Sequence, residues 1–248
     1  MASPLEQFEI VPLLPLQVAG VDISYTNSAL WMTIGFVLTL SMFLMGTQRR
    51  AMIPGRLQAA CEIIYDFIGN MVKDNIGAEG RRYFPFVFSL FMMVFLGNLL
   101  GLLPFSFTYT SHIVVTGALA LVVFFAVLIF GFVRHGLHFF SILLPPGVPW
   151  WLVPLVLPIE LLSFFIRPVT LSVRLFANML AGHIMLKVFA GFVITFVGLG
   201  SFGYLGALLP ILFNAALIGF ELLIAFLQAY VFAVLSCIYL KDTLHLEH

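Results

Sequence analysis

The stretch Val169-Thr-Leu-Ser-Val-Arg-Leu-Phe-Ala-Asn-Met-Leu-Ala-Gly-His183 carries one fixed positive charge, Arg174, in an otherwise mostly apolar run. An arginine at the centre of a bilayer costs from about 2.5 to more than 10 kcal/mol, and its guanidinium stays charged where a lysine or histidine can lose its proton. A charge in this position therefore indicates a function or a specific partner.

The chain around this stretch has the composition of a membrane protein. Of its 248 residues, 62% are hydrophobic and 9% are charged, and the mean hydropathy is +1.13. In lipid, backbone groups have to be satisfied within helices or closed barrels, and the alternating strands typical of a barrel are absent here. We therefore predict an all-α integral membrane protein that forms a single membrane domain over residues 1–248.

The first half of the chain predicts three spans and one interfacial helix. Apolar runs at 28–46, 84–103 and 113–133 are each close to the roughly 20 residues that cross a bilayer as a helix. Residues 54–76 instead repeat apolar side chains at helical spacing, opposite charged and polar ones. This pattern is typical of an amphipathic helix that lies at the membrane interface.

The last hundred residues predict a long helical hairpin. Two apolar runs, 150–199 and 204–240, flank a glycine-rich turn at 198–203. As one helix the first run would measure roughly 70 Å, against a hydrocarbon core of roughly 30 Å. It is therefore strongly tilted, or its first part follows the interface. The chain then has about five transmembrane helices in all.

The basic residues predict the orientation of these helices. Those outside the hairpin spans all fall on the side reached after the first, third and fifth crossings: Arg49, Arg50, Arg56, Lys73, Arg81, Arg82, Arg134 and Lys241. The N-terminal segment 1–27, the 104–112 loop and the glycine-rich turn contain none. The positive-inside rule then places the N-terminus outside and the C-terminus in the cytoplasm or the equivalent matrix.

The remaining ionisable residues at membrane depth all belong to the hairpin: Glu160, Arg167, Arg174, His183, Lys187 and Glu221. The first three are seven residues apart, so a helix places them on nearly one face. Three polar residues share that face: Ser163, Thr170 and Asn178. His183 lies on the opposite side of the same helix, because nine steps of about 100° separate it from Arg174.

Folding the hairpin about Ser201 predicts two polar levels. Arg174 comes level with Gln228, and His183 comes within one helical turn of Glu221. On the returning helix Asn214, Glu221 and Gln228 repeat every seven residues. With the turn outside, the histidine and Glu221 form an outer polar path. Glu160, Ser163 and Thr170 form an inner one, on the other side of the arginine.

Several of these residues also have plainly structural interpretations. Glu160 and Arg167 suit an interfacial ion pair, and Lys187 suits a side chain that snorkels to the headgroups. His183 with Glu221 suits a buried pair that only fixes packing. Asn214 suits an interhelical hydrogen-bonding residue, and Arg174 suits an interhelical anchor. The loop histidines His112, His135 and His138 suit solvated side chains. The two cysteines, Cys61 and Cys237, suit free structural thiols.

Two long motifs resemble subunit a of the F-type ATP synthase membrane sector. The first is Phe165-Ile-Arg-Pro-Val-Thr-Leu-Ser-Val-Arg-Leu-Phe-Ala-Asn-Met-Leu-Ala-Gly-His183, and the second is Glu221-Leu-Leu-Ile-Ala-Phe-Leu-Gln-Ala-Tyr-Val-Phe232. The resemblance extends to Phe95-Leu-Gly-Asn-Leu-Leu-Gly-Leu-Leu-Pro104 and to the amphipathic helix. It therefore covers nearly the whole chain.

The resemblance implies a stator subunit beside a rotating ring of small proteolipid c subunits, held with peripheral-stalk b-type subunits in the F1Fo complex. By this resemblance Arg174 falls on the family's essential arginine, with Gln228 and Asn178 on the polar residues near it. His183 and Glu221 fall on the outer half-channel pair, whose order is exchanged in some members. The inner half-channel would include Glu160, Ser163 and Thr170, and Lys187 matches no family role.

Two other classes of protein stay open at the level of sequence. A proton-coupled secondary transporter would also place charges at mid-membrane, but no internal repeat is found. A structural subunit of a respiratory complex would need no deep arginine. The sequence predicts no metal or cofactor site, no phosphate-binding loop and no partnership with nucleic acid. We expect the membrane to be the bacterial inner membrane, with the mitochondrial inner membrane as the alternative.

Overall fold

The computed structural model describes residues 8–15, 17–18, 21–22, 24–48, 52–103, 106–136, 139 and 149–244. Six α-helices account for most of this part of the chain: α1 Asn27–Gln48, α2 Arg56–Ile76, α3 Phe84–Gly101, α4 Ile113–His135, α5 Val153–Val197 and α6 Ser201–Leu244. Five of them, all except α2, are long and apolar enough to cross a membrane. The predicted all-α membrane fold is therefore confirmed.

Short strands precede the first helix, and the sequence did not predict them. Within the described residues, β1 (Pro12–Leu14) pairs antiparallel with β4 (Tyr25–Thr26), and β2 (Gln17–Val18) pairs antiparallel with β3 (Val21–Asp22). Two- and three-residue strands are too short to show the period-two alternation that identifies a strand in a sequence.

Asn27 connects this N-terminal segment to α1. Its side-chain oxygen accepts hydrogen bonds from the backbone N–H groups of Ser28, at 2.9 Å, and Val11, at 3.3 Å. Its side-chain amide donates to the carbonyl of Glu9, at 3.0 Å. An amide side chain at a helix start satisfies backbone donors that have no partner within the helix. This residue therefore both begins α1 and fixes the preceding segment against it.

The amphipathic helix α2 lies where the sequence predicted it. Its buried residues recur at helical spacing: Cys61, Ile68, Met71, Val72 and Ile76. The helix ends at Gly77, whose φ of 90° favours glycine and whose N–H donates to the carbonyl of Lys73 at 2.9 Å. The buried stripe and the C-terminal glycine together explain why the helix stops at Ile76.

The hairpin consists of two continuous helices of 45 and 44 residues. Two prolines, Pro158 and Pro168, lie inside α5 without ending it. The turn is tighter than predicted, because α6 begins at Ser201 and only residues 198–200 separate the helices. Gly200 makes this possible with a φ of 86°, a conformation that side chains disfavour. At about 1.5 Å per residue, α5 is roughly 67 Å long, so it exceeds the hydrocarbon core as predicted.

The chain divides into two compact units. The first comprises Met1–Met42, Met92–His112 and Leu175–Ala229, and the second comprises Phe43–Phe91, Ile113–Arg174 and Tyr230–His248. Four helices, α1, α3, α5 and α6, contribute residues to both.

The first unit packs small and apolar side chains around a buried amide. Leu175, Met179 and Ala225 are fully buried, and so is Asn98. The amide of Asn98 donates to the Ala225 carbonyl at 3.4 Å. The Tyr109 hydroxyl in the α3–α4 loop donates to the Met93 carbonyl at 2.7 Å. Hydrogen bonds to these carbonyls therefore fix both the returning helix and the loop against α3.

The second unit relies on one close approach and one polar contact. Gly46 of α1 lies so near Cys61 of α2 that a Cβ on the glycine would be 2.7 Å from the cysteine sulfur. Small residues of this kind allow membrane helices to approach closely. The hydroxyls of Thr116 and Ser172 lie 3.1 Å apart and connect α4 to α5. The thiols of Cys61 and Cys237 are buried and form no disulfide bond, as predicted.

Candidate functional site

His183 lies at the centre of a polar cluster in the first unit. It is buried, and its Nε2 is 2.9 Å from the Thr108 hydroxyl of the α3–α4 loop. Its Nδ1 is 3.7 Å from Oε1 of Glu221 on α6. The predicted proximity of the histidine and this glutamate is therefore confirmed. Thr108 was not predicted, because a loop threonine 75 residues away in the sequence carries no pattern that indicates the contact.

Glu221 is the more deeply buried member of the pair, with 3% of its surface exposed. Neither of its carboxylate oxygens has a hydrogen-bond partner among the described residues. The 3.7 Å gap to Nδ1 is longer than a hydrogen bond and suits either a small inward movement or a bridging water. A Cβ at Gly182 would lie 2.7 Å from Oε1, so this glycine makes room for the carboxylate beside α5.

A cavity of about 870 Å³ opens beside His183. Its lining includes two predicted polar residues of the hairpin, Asn214 and Lys187, together with Glu9 and Asn27 from the N-terminal segment and the start of α1. Most of the lining is apolar, but the space is large enough for water and these polar side chains give water hydrogen-bond partners. The structure therefore brings water-accessible space to the histidine. The side chain of Lys187 faces this space, which the sequence did not predict.

Asn178 and Gln228 form a second polar contact in the first unit. The Asn178 amide donates to the side-chain oxygen of Gln228 at 3.0 Å, and the glutamine is 4% exposed. The two residues come from α5 and α6, one helical turn or more from the histidine pair along each helix. The sequence predicted Gln228 level with Arg174, whereas the hydrogen bond that the structure shows joins the glutamine to Asn178, one turn further along α5.

The predicted inner strip belongs to the second unit. Ser163 and Thr170 are exposed, Glu160 is half-buried, and the Thr170 hydroxyl donates to the backbone carbonyl of Arg167 at 2.9 Å. No described residue forms a hydrogen bond or an ion pair with Glu160.

Arg167 has a different partner from the one that the sequence suggested. Its guanidinium pairs with Asp242 at 3.0 Å and lies 5.0 Å from the centre of the Tyr239 ring. The predicted pair with Glu160 is therefore wrong. The hairpin count about Ser201 places Arg167 level with Leu235, two turns before the aspartate. The long arginine side chain spans part of that distance, which a count of residues cannot anticipate.

Arg174 is exposed on α5 and ends the 113–174 segment of the second unit. Within the described part of the chain, no residue forms a hydrogen bond or an ion pair with it. A guanidinium on a membrane-spanning helix needs a counter-charge or water. Its exposure therefore leaves it available to a group from another protein.

The loop histidines are less solvated than predicted. His112 is half-buried and stacks on the Phe107 ring, with centroids 5.1 Å apart, and burial lowers the pKa of its imidazole. The ring of His135 lies 3.3 Å from the carbonyl of Leu244. Each ring therefore has a contact within the protein, a stacked phenylalanine for His112 and a backbone carbonyl for His135, and both residues are half-buried. His138 lies outside the described residues.

Comparison with known proteins identifies relatives over the whole length of the chain. The family described as "ATP synthase A chain" matches residues 29–241. A protein named ATP synthase subunit a from Parvibaculum lavamentivorans is 54% identical over 246 residues, which cover 99% of this chain and 95% of the relative. Its counterpart from Rhodospirillum rubrum is 53% identical over 247 residues, with both chains fully covered. That from Mesorhizobium japonicum is 52% identical over 99% of this chain and 98% of its own length.

Proposed function

Since the chain belongs to the ATP synthase A chain family, we propose that Arg174 and the polar residues of the α5–α6 hairpin form its proton pathway. Membership makes the chain the proton-translocating stator subunit of the Fo sector and a component of the F1Fo complex. The transporter and the respiratory-subunit alternatives are not favoured.

Arg174 is assigned the central role, because it is an exposed guanidinium on a spanning helix. The partner proposed for it is the membrane carboxylate of a c-ring subunit. An ionised carboxylate costs many kcal/mol in lipid, so the ring turns through lipid only with that group protonated. A fixed cation favours its deprotonation on arrival. The same cation opposes a proton that would pass directly between the two half-channels.

The outer half-channel is assigned to the polar residues of the first unit: His183, Glu221, Asn178, Gln228 and Asn214. The cavity of about 870 Å³ beside His183 supports this assignment, because a proton path needs water up to its first titratable group. Histidine and glutamate are suited to passing a proton near neutral pH.

The inner half-channel is assigned to Glu160, Ser163 and Thr170 of the second unit. The exposure of Ser163 and Thr170 and the partial exposure of Glu160 on the first half of α5 support the assignment, since each offers an oxygen to water or to a neighbouring subunit. We place this strip on the cytoplasmic side and the N-terminus outside, in the bacterial inner membrane, as the distribution of basic residues indicates. The peripheral-stalk b-type subunits are the other proposed neighbours.

Replacing the arginine tests this proposal. Arg174→Ala should reduce ATP-driven proton pumping in inverted membrane vesicles to below about a tenth of the wild-type rate, because about 1.4 kcal/mol or more of differential stabilisation of the ring carboxylate is lost. The complex should still assemble, since the side chain is exposed and no described residue forms a hydrogen bond or an ion pair with it. Arg174→Lys should also fail largely, because an ammonium lacks the planar fork.

The matched control is Arg56→Ala, which removes an exposed arginine at the start of the interfacial helix α2. It should pump at close to the wild-type rate. Pumping by Arg174→Ala at more than a tenth of the wild-type rate, in vesicles with normal amounts of the complex, would exclude the proposed role.

A further inference from the structure

Thr108 occupies a buried position between the end of α3 and His183. Only 5% of the residue is exposed, and its single hydroxyl makes two contacts. One is with Nε2 of the histidine at 2.9 Å, and the other is with the backbone carbonyl of Gly101 at 3.3 Å. The loop that follows α3 therefore reaches directly into the histidine cluster.

The end of α3 determines this position. Gly101 is the last residue of the helix, so its carbonyl has no N–H partner within the helix and is a free acceptor. Ser106 also donates its hydroxyl to that carbonyl, at 3.0 Å. A Cβ on Gly101 would collide with the Thr108 side chain, so only glycine allows the loop to fold back this closely. The hydroxyl is thus held by the helix terminus independently of the histidine.

The two contacts of the hydroxyl decide which histidine nitrogen carries a proton. A carbonyl oxygen only accepts, whereas Nε2 either accepts or donates, so both contacts of the hydroxyl are hydrogen bonds only when its one proton points to the Gly101 carbonyl. The contact at 2.9 Å then requires Nε2 to be the donor. In the neutral imidazole Nδ1 is consequently the bare nitrogen, and it is the nitrogen that faces Glu221. Both contacts also suit the imidazolium, because Nε2 donates in that state too.

We propose that Thr108 is a positioning residue for the outer half-channel: it fixes the tautomer of His183, so that the ring gains and loses its proton only at Nδ1, toward Glu221. The inference rests on the proposed function of the histidine pair. Thr108 takes no part in proton transfer itself, since its own proton stays on Oγ1, in the hydrogen bond to the Gly101 carbonyl. A ring free to choose its tautomer would place N–H toward the glutamate in part of the population and could not accept a proton there.

Three titratable groups surround the ring within the described part of the chain. Glu221 faces it from α6, Lys187 follows it by one turn on α5, and Glu9 of the N-terminal segment lines the same cavity. The neighbouring residues contributed by α1 and by the α3–α4 loop do not titrate near neutral pH: Asn27, Trp31, Phe107 and Thr108. Changing the threonine therefore alters hydrogen bonding around the ring without altering the surrounding charge.

The experiment compares Thr108→Val with Thr108→Ser in the complete F1Fo complex, reconstituted into proteoliposomes. ATP added outside drives only the complexes whose catalytic sector faces outward, so the outer path opens to the lumen. The initial pumping rate is measured against lumen pH. We expect Thr108→Val to lower the rate about tenfold and to move the pH midpoint about one unit lower, because the imidazolium loses the acceptor for Nε2–H. Thr108→Ser, which keeps the hydroxyl, should stay within about twofold of the wild type.

Thr39→Val is the matched control. Its hydroxyl donates to the Gly35 carbonyl of its own helix at 2.8 Å, so the same change leaves the histidine untouched and should leave rate and midpoint unchanged. An unchanged pH midpoint in Thr108→Val, or a serine variant as impaired as the valine variant, would overturn the proposal.

Two further measurements test the proposal if the valine variant fails to assemble or if the proposed function is wrong. Nitrogen-15 NMR of histidine-labelled complex, with His183 identified by its loss in His183→Gln, should show the neutral ring protonated at Nε2; protonation at Nδ1 would overturn the proposal even if the valine variant failed to assemble. The pumping rate of His183→Gln shows whether a negative result concerns the proposed function of the histidine pair or only the role of Thr108. Normal pumping in that variant contradicts the proposed function itself, whereas impaired pumping beside a normal Thr108→Val contradicts only the role of the threonine.

Discussion

At the scale of single residues, the outer pair is defined by burial and by an incomplete set of hydrogen bonds. Glu221 is 3% exposed and His183 is 7% exposed, yet their nearest nitrogen and oxygen are 3.7 Å apart. A buried carboxylate without hydrogen bonds is costly when ionised. The proposed pathway has the pair share a proton, and the absence of a Cβ on Gly182 leaves room for the carboxylate beside α5.

Exchanging the two residues tests whether they share a proton. His183→Gln and Glu221→Gln should each slow ATP-driven pumping by about tenfold or more, since each removes one carrier. The exchanged variant, His183→Glu with Glu221→His, should recover part of the rate because both groups are again present. A double-mutant cycle on the pumping rate measures the coupling. An exchanged variant no faster than the slower of His183→Glu and Glu221→His would show that the residues act separately.

At the scale of secondary-structure elements, a charged contact ties α5 to the end of α6 in the second unit. Arg167 donates to Asp242 and lies over the Tyr239 ring, so one guanidinium holds two residues of the last turns of α6. About a third of each charged side chain is exposed, 32% for the arginine and 39% for the aspartate. Solvent screening therefore reduces the contact to a modest contribution, about 1 kcal/mol or less.

Removing either charge should destabilise the packing of the hairpin. Arg167→Gln should lower the thermal midpoint of the detergent-purified complex more than Asp242→Asn does, because the arginine also loses its contact with the tyrosine ring. The double variant should lose less than the sum of the two, by a coupling of about 0.5–1 kcal/mol. Lys241→Gln, at an exposed neighbouring position, is the control and should leave the midpoint unchanged. Additive effects of the two substitutions would contradict a direct ion pair.

At the scale of the whole molecule, the two sets of pathway residues belong to different compact units. The residues assigned to the outer path all lie in the first unit, and those assigned to the inner path lie in the second, together with Arg174. Four helices run through both units, so each unit is built from consecutive parts of the same helices.

Thiol labelling from each side of the membrane tests that division. In a background with Cys61→Ala and Cys237→Ala, single cysteines at Glu160, Ser163 and Thr170 should react with an impermeant reagent added from the cytoplasmic face. Cysteines at His183 and Glu221 should react from the outer face. The controls are Leu162 and Val173, which are 62% and 44% exposed but apolar, and they should react from neither face because lipid excludes water there. Labelling of the first three positions only from outside would reverse the topology and both assignments.

The sequence by itself determined the fold class, the five spans, the interfacial helix and the hairpin. These features follow from composition and from apolar periodicity over 20 or more residues. Each helix shows this pattern in its own sequence, because in lipid each one has to satisfy its own backbone groups and be long and apolar enough to span. The proximity of His183 to Glu221 was also predicted from the sequence, because a hairpin of two regular helices allows residues to be counted from the turn.

Only the tertiary structure decided the contacts that surround those residues. Thr108 meets His183, and Arg167 meets Asp242, each across 75 positions of sequence. The first contact depends on a carbonyl at the end of α3 that has no partner within the helix and on a glycine without a Cβ, and the second depends on the reach of a long arginine side chain. Such contacts arise from the packing of segments that are distant in the chain, so no local periodicity records them. The two N-terminal strand pairs were not predicted from the sequence for a related reason. Strands of two or three residues are determined by pairing with their partners and not by a pattern of their own.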